Sequence, residues 1–360
     1  MTSLTKHGYL VLADITGYTS YLSRVELEHA QEILADLLGI VVEQFKQVLT
    51  ISKLEGDAVF ANIDEAQMAS GERLLELIEN TYFTFRRRRD ACQNQTTCTC
   101  HACQAIPSLD LKFFVHHGDF MVQTISGIHE LVGSDVNLIH RLTKNHIREA
   151  TGWRAYILFT QKALEHMNIA LDALHAQTET YEHLGDVATL SLDIHPRYDE
   201  MAAAVKVIIP PQDADYTLVF DFEAPPFVMW DWVTDVRRRS QALGEHGQWS
   251  IVARPGGRSG AGARNHCAHG KGEMDEIMLD WHPFEYATSM KIDGRVQYQD
   301  MYIFHPTNSG QNTRVELRMK ILKPPPVWLS RQMVKIQFFF TNPYLDWFKT
   351  IKQLMEAGPN

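Results

Sequence analysis

Two aspartates sit where local folding would set carboxylates at strand ends. Asp14 closes the apolar run Tyr9–Ala13 and opens the turn Asp14-Ile15-Thr16-Gly17-Tyr18-Thr19. Asp57 follows at the tip of a hairpin, Lys53-Leu54-Glu55-Gly56-Asp57, that continues into Ala58-Val59-Phe60. Antiparallel pairing sets a hairpin tip beside the end of a neighbouring strand, so two carboxylates from separate strands can share a pair of divalent cations. The turn after Asp14 leads towards a helix, and its amides at Ile15, Thr16 and Gly17 can point at phosphate. These are parts for metal-assisted phosphoryl chemistry: cations to activate an oxygen and hold a polyphosphate, donors where charge develops. Taken singly, Asp14 serves as well as a helix N-cap and Asp57 as an ordinary Gly-Asp turn residue.

A second cluster is sulfur-based. Cys92, Cys98, Cys100 and Cys103 run as Cys-x5-Cys-x-Cys-x2-Cys in a short polar stretch. Four thiolates so spaced suit a closed, structural Zn2+ site, with His101 able to replace one; redox-active thiols or an iron–sulfur cluster are the other readings. Arg86–Arg89 precede them and read as a solvated helix end or a contact for a partner subunit. His266, Cys267 and His269 invite a metal reading but fit a strand or loop as well.

Periodicity indicates the elements that position these residues. A strand at Tyr9–Ala13 is followed by a helix over Leu27–Val48, then the hairpin around Asp57 and a helix over Ser70–Arg89. A second hairpin is expected from Leu109–His116 to Phe120–Thr124, turning at His117-Gly118-Asp119. A helix over Asp135–Ala150, a strand at Tyr156–Thr160, a helix at Gln161–Met167 and a closing strand at Ala188–Ile194 complete an α+β sandwich. Residues 197–213 read as a linker between domains at 1–196 and 214–360. The second domain opens with a strand at Tyr216–Phe222, the corner Ala224-Pro225-Pro226 and a Trp-rich helix at Phe227–Val236. It closes with an aromatic helix from Trp328 to Met355, kinked at Asn342-Pro343.

The chain of 360 residues is long enough for two domains, and 45% hydrophobic residues can fill two cores. A net charge of −10 argues against a general nucleic-acid binder. Neither a signal peptide nor a membrane span is legible, and five clustered or isolated cysteines fit a reducing compartment, so a soluble cytoplasmic protein is expected.

Residues 8–195 resemble the class III adenylate and guanylate cyclase family. The shared features are the Asp-Ile-x-Gly-Tyr-Thr turn at Asp14, the Gly-Asp turn at Asp57 and the lysine four positions before it. Glu130-x2-Gly133-x2-Val136-Asn137-x3-Arg141 matches the family's other half-site, and Val115–Phe120 matches its strand–turn–strand. The resemblance implies a ferredoxin-like fold and a lyase that converts a nucleoside triphosphate to a 3′,5′-cyclic nucleotide and pyrophosphate. Asp14 and Asp57 would bind two Mg2+ or Mn2+ ions; Ile15, Thr16 and Gly17 would meet the phosphates. Lys53 and Glu130 would read the base, Asn137 would orient the ribose, and Arg141 would stabilise the reacting phosphate. Asn137 and Arg141 are four apart and share a helix face. The family's adenine-reading residue is Asp; Glu130 still accepts from an exocyclic amine, so ATP is favoured and CTP kept open. The family's triphosphate-gripping Lys or Arg cannot be aligned. One such domain per chain implies a homodimer with two composite sites.

Residues 216–356 resemble START-like, polyketide-cyclase-type helix-grip domains, carried by Tyr216–Phe222, Ala224-Pro225-Pro226, Val228–Trp232 and the last helix. That implies a pocket for a hydrophobic small molecule, as a ligand sensor or docking module. The competing readings are a catalytically silent nucleotide-binding module and a hydrophobic-ligand carrier on a dimerisation scaffold.

Overall fold

The computed structural model describes residues 5–357 except 24, 26, 69, 96–99, 126, 127, 205, 271, 295, 324–331 and 333–340. The chain divides into two compact units, Met1–Ala203 and Ala204–Asn360.

The first unit runs β1 (Lys6–Thr16), α1 (Tyr18–Leu22), α2 (Leu27–Phe45), β2 (Thr50–Glu55), β3 (Ala58–Asp64), α3 (Gly71–Gln95), α4 (His101–Ala105) and β4 (Asp110–Ile125). It continues with β5 (Ile128–Val132), α5 (Ser134–Leu142), α6 (Ile147–Thr151), β6 (Tyr156–Thr160), α7 (Gln161–Met167), β7 (His175–Tyr181), β8 (Gly185–Asp193) and α8 (His195–Ala203). The sheet order is β2-β3-β1-β4-β6-β8-β7, with β5 paired to β4. Its first four strands, with helices between β1 and β2 and between β3 and β4 and a hairpin turn between β2 and β3, follow the 2-3-1-4 order of a split βαβ. β1 lies inside the sheet between β3 and β4 and is buried on both faces. Leu10, Leu12, Phe60, Phe114 and Leu158 pack with Val136, Ile139 and Leu142 of α5. Phe113, alternating with Phe114, meets Phe45 of α2 at 6.3 Å between ring centroids, so helices flank the sheet on both sides.

Four expectations change. β4 is one strand of 16 residues, with no turn at His117-Gly118-Asp119. Gly118 is present for close approach: a Cβ there would lie 2.2 Å from Asp135 Oδ2, and that oxygen accepts from the Asp119 N–H at 2.7 Å. The helix expected over Asp135–Ala150 is two helices, α5 and α6. Asn145 separates them, donating to the Leu142 carbonyl at 2.8 Å and accepting from the Ile147 N–H at 3.0 Å. Residues 197–203, expected as linker, are helical in α8, held to α3 by Arg197–Glu79 at 3.2 Å and Tyr198–Asp90 at 3.3 Å. Finally, Arg86–Arg89 lie inside α3. Arg89 is buried and donates to the Leu109 carbonyl at 3.0 Å. Arg86 stacks on Tyr198 at 4.6 Å, and Arg88 pairs with Asp36 at 2.6 Å.

The second unit contains β9 (Tyr216–Phe222), α9 (Pro226–Thr234), α10 (Val236–Leu243), β10 (Gly247–Ala253), β11 (Arg264–His269), β12 (Gly272–His282), β13 (Tyr286–Asp293), β14 (Val296–Thr307), β15 (Asn312–Lys323) and α11 (Pro343–Glu356). Its antiparallel sheet has the order β10-β11-β12-β13-β14-β15-β9. Asn342 and Pro343 start α11, and the Asn342 side chain caps it by accepting from the Leu345 N–H at 3.1 Å. The helix-grip expectation needs a longer helix reaching back to Trp328, and 324–331 and 333–340, including Phe338–Phe340, lie outside the described residues. Among the described residues no helix is long and apolar enough to cross a membrane.

Candidate active site

β1 ends at Thr16, and β3 begins immediately after the turn Gly56-Asp57. Gly56 takes the left-handed conformation (φ 66°) that lets the hairpin close in two residues. The pairing Asp14↔Ala58 sets Asp57 beside the end of β1, and the Ile15 N–H donates to the Asp57 carbonyl at 3.1 Å. Both carboxyl groups line the same cavity, near enough for the charge of Asp14 to act on Asp57. Desolvation, then the Asp14 charge, push the Asp57 carboxyl up to about 6. β4 pairs with β1 on its other edge, Asp14↔Lys112, and the Lys112 ammonium lies 2.9 Å from Asp14 Oδ2.

These groups open into a cavity of about 420 Å³. Ile15, Thr16, Gly17, Arg148 and Arg154 line it together with Asp14, Asp57 and Lys112. Thr16 Oγ1 donates to the Arg154 carbonyl at 2.9 Å, tying the turn after β1 to the segment before β6. Gly17 has φ 90° and a Cβ there would meet the Ser108 carbonyl oxygen at 2.7 Å, so the turn requires glycine. An acidic pair beside three cations is a polar cleft of ligand-binding size, fit for divalent cations and a polyphosphate.

The other expected residues occupy a different surface. Lys53 on β2 and Glu130 on β5 meet at 3.8 Å, both exposed. Glu55 links them to α5, with Lys53 at 3.4 Å and His140 Nδ1 at 3.2 Å. α5 buries Val136, Ile139 and Leu142 and turns Asn137 and Arg141 outwards, both exposed. None of Lys53, Glu130, Asn137 and Arg141 lines the Asp14–Asp57 cavity. Each set therefore covers half of the expected chemistry.

Lys112, Arg148 and Arg154 were not assigned from sequence. Lys112 is a lone cation in an apolar strand, a visible signal, but its partner depends on the β1–β4 register. Arg148 reaches the cavity only because Asn145 breaks the helix.

Among the described residues, Cys92, Cys100 and Cys103 do not gather into one group. Cys92 faces α2 and its Sγ donates to Asp36 at 3.7 Å. Cys100 caps α4, its Sγ accepting from the Cys103 N–H at 3.4 Å, and Cys103 is buried. Among the described residues they form no metal-sized group; Cys98 lies outside those residues. Nor, among the described residues, do His266, Cys267 and His269: on β11 His266 faces away from Cys267 and His269 and pairs with Asp275 at 2.9 Å.

The second unit has a cavity of about 470 Å³ lined by Trp249, Met274, Tyr298, Tyr302 and Tyr344 among others. Its wall holds a buried charge network. Arg239 grips Glu276 in two bonds of 2.6 and 3.0 Å, and Lys291 joins Glu276 at 3.6 Å and contacts Asp300. Despite desolvation, Arg239 and Lys291 hold the Glu276 carboxyl down at about 2.

The family model described as "Protein of unknown function (DUF2652)" matches residues 34–151. The uncharacterized protein Rv2561/Rv2562 of Mycobacterium tuberculosis is 27% identical over 164 residues, 45% of this chain and 73% of its own length. The chain is similar in structure to the guanylyl cyclase Cya2, with a TM-score of 0.42 and 15% identity over 53% of this chain and 93% of that one. It is similar also to the adenylyl cyclase CyaB from P. aeruginosa, with a TM-score of 0.39 and 16% identity over 54% and 97% of the two chains. Likenesses at these scores carry no weight for activity.

Proposed function

We propose that the first unit is a metal-dependent nucleotide cyclase acting on ATP, with CTP as the alternative substrate. The observation that supports it most is the pairing of Asp14 and Asp57 in one cavity with Lys112, Arg148 and Arg154. The carboxyl pair fits divalent cations: burial, and after it the Asp14 charge, raise the Asp57 carboxyl despite the opposing Lys112 charge, and a bound cation would offset both. Mg2+ or Mn2+ bound there would supply Lewis acidity to the attacking ribose oxygen and charge neutralisation to the triphosphate. Asp14 and Asp57 hold the cations, and Lys112, Arg148 and Arg154 bind phosphate oxygens. Ile15, Thr16 and Gly17 bring the chain close to those oxygens. Lys53 donates to a ring nitrogen of the base while Glu130 accepts from its exocyclic amine. Asn137 orients the ribose, and Arg141 stabilises negative charge on the reacting phosphate.

A homodimer completes this scheme, because the carboxylate cavity of one copy lacks the base-reading and ribose-orienting groups that a second copy presents on its surface. In this reading the aromatic cavity of the second unit takes a hydrophobic small molecule that sets the activity of the first. The Cys-x5-Cys-x-Cys-x2-Cys spacing of Cys92, Cys98, Cys100 and Cys103 suits a structural zinc ion.

A second reading is nucleotide binding without turnover. It draws on the Lys112–Asp14 ion pair, which already puts a cation where a metal would bind. The purified protein incubated with each of the four ribonucleoside triphosphates and Mn2+, product identified by mass, separates the two. A cyclic product that disappears in Asp57→Ala supports the enzyme; bound but unconverted triphosphate supports the silent module.

A further inference from the structure

A constellation with no part in the site above lies farther along β1 and β4. His117 on β4 pairs with Tyr9, five residues along β1 from Asp14, which is about 17 Å at the rise of a strand. Glu65 opens the 3-10 turn that follows β3, and His166 sits in the last turn of α7. One ligand-capable atom from each of Glu65, His117 and His166 lies within 4.8 Å of the other two. His117 is buried, whereas Glu65 and His166 are exposed.

The three side chains lie together, but the near-parallel rings of His117 and His166 (14°) aim their in-plane lone pairs along separate planes, so shared ligation requires the exposed His166 to turn out of the stack. His117 Nε2 lies 3.2 Å from Glu65 Oε2. The imidazoles of His117 and His166 stack with centroids 3.9 Å apart, and Tyr9 packs its ring against His117 at 4.9 Å. His166 Nδ1 donates to the Lys162 carbonyl at 2.9 Å, which fixes the tautomer and leaves Nε2 with its lone pair. His117 Nδ1 is buried and has no hydrogen-bond partner among the described residues.

We propose that Glu65, His117 and His166 form a binding site for a borderline first-row divalent cation of the zinc type. Two imidazoles and one carboxylate select such an ion over Mg2+, and leave a coordination position for water. Tetrahedral ligation at about 2.0–2.2 Å sets donor atoms about 3.3 Å apart, so the cluster must contract. The exposed His166 can turn out of its stack and the exposed Glu65 can swing in, so that both close on the buried imidazole of His117. The bound ion would clasp the exit of β3, the middle of β4 and the end of α7.

The test is titration of the chelator-stripped full-length chain with Co2+ in millimolar Mg2+, followed by visible absorption, with Zn2+ as competitor. One equivalent of Co2+ is expected to bind without a thiolate-to-cobalt charge-transfer band and to be displaced by Zn2+, in addition to any that the cysteines take up with such a band. His166→Ala and Glu65→Gln, both at exposed positions, are each expected to weaken binding at least tenfold, roughly the loss seen on disturbing a metal site, with unchanged circular dichroism. Equal affinity in both variants overturns the site. So does cobalt that binds only with a thiolate band, which would put the ion at the cysteines, or no uptake of cobalt at all.

Discussion

Asp57 has its carboxyl raised by burial and by a neighbouring charge, and both causes predict measurable behaviour. A carboxyl lifted from its usual value to about 6 makes the folded chain bind more protons than the unfolded chain between those two values. Without bound cations, stability therefore falls as pH rises through that window and stays lower above it. Asp57→Asn is expected to raise the unfolding midpoint at pH 8 in chelator by roughly 2–4 °C, about 1 kcal/mol after discounting for partial exposure. An unchanged or lower midpoint removes the case for crowded carboxylates. Cation-dependent activity should rise with pH through about 6 as Asp57 ionises, and Asp57→Asn should lower it at least ~100-fold.

At the scale of elements, β4 stays continuous through a glycine that reads as a turn residue. Gly118→Ala would press a methyl against the Asp135 carboxylate, whose Oδ2 also holds the Asp119 N–H. A loss of about 1–3 kcal/mol in urea unfolding is expected; a neutral result would mean that α5 shifts freely over the sheet. The sheet of the second unit has an electrostatic counterpart. Arg239, Glu276, Lys291 and Asp300 are all buried, on α10, β12, β13 and β14. Glu276→Gln leaves two buried cations short of a partner and should cost about 3–5 kcal/mol. With the Glu276 carboxyl depressed to about 2, its stabilisation is complete above the ordinary glutamate range and lost as pH falls towards 2. Acid unfolding of the Glu276→Gln variant should therefore be less steep over that window than that of the parent.

For the whole molecule, the separation of the carboxylate cavity from Lys53, Glu130, Asn137 and Arg141 predicts complementation. Asp57→Ala and Arg141→Ala should each be inactive alone. Mixed and allowed to exchange subunits, they should recover about a quarter of parental activity, since half of the dimers hold one intact site. No gain on mixing would rule out shared sites. The division at 203/204 predicts that residues 1–203 fold alone with a cooperative transition. If the second unit regulates the first, the fragment's specific activity will differ from that of the full chain; an identical rate, with and without added hydrophobic ligands, argues against that role.

Short-range geometry was legible in the sequence. Gly56-Asp57 reads as a hairpin turn because few residues take a positive φ, and Asn137 and Arg141 share a face because helical pitch is fixed. The apolar run places Asp14 near the end of β1, but the strand continues two residues further, to Thr16, because Ile15 and Thr16 still pair with β4. Long-range pairing was not legible. That Lys112 faces Asp14 depends on the β1–β4 register, and that Arg148 enters the same cavity depends on Asn145 splitting a continuous helical pattern. Glu65, His117 and His166 are scattered along the chain and carry no spacing signature; the sheet and α7 bring them together. Gly118 was misread for the same reason: a glycine shows that something approaches closely or that φ is positive, and only the packed structure, with Asp135 over β4, decides which.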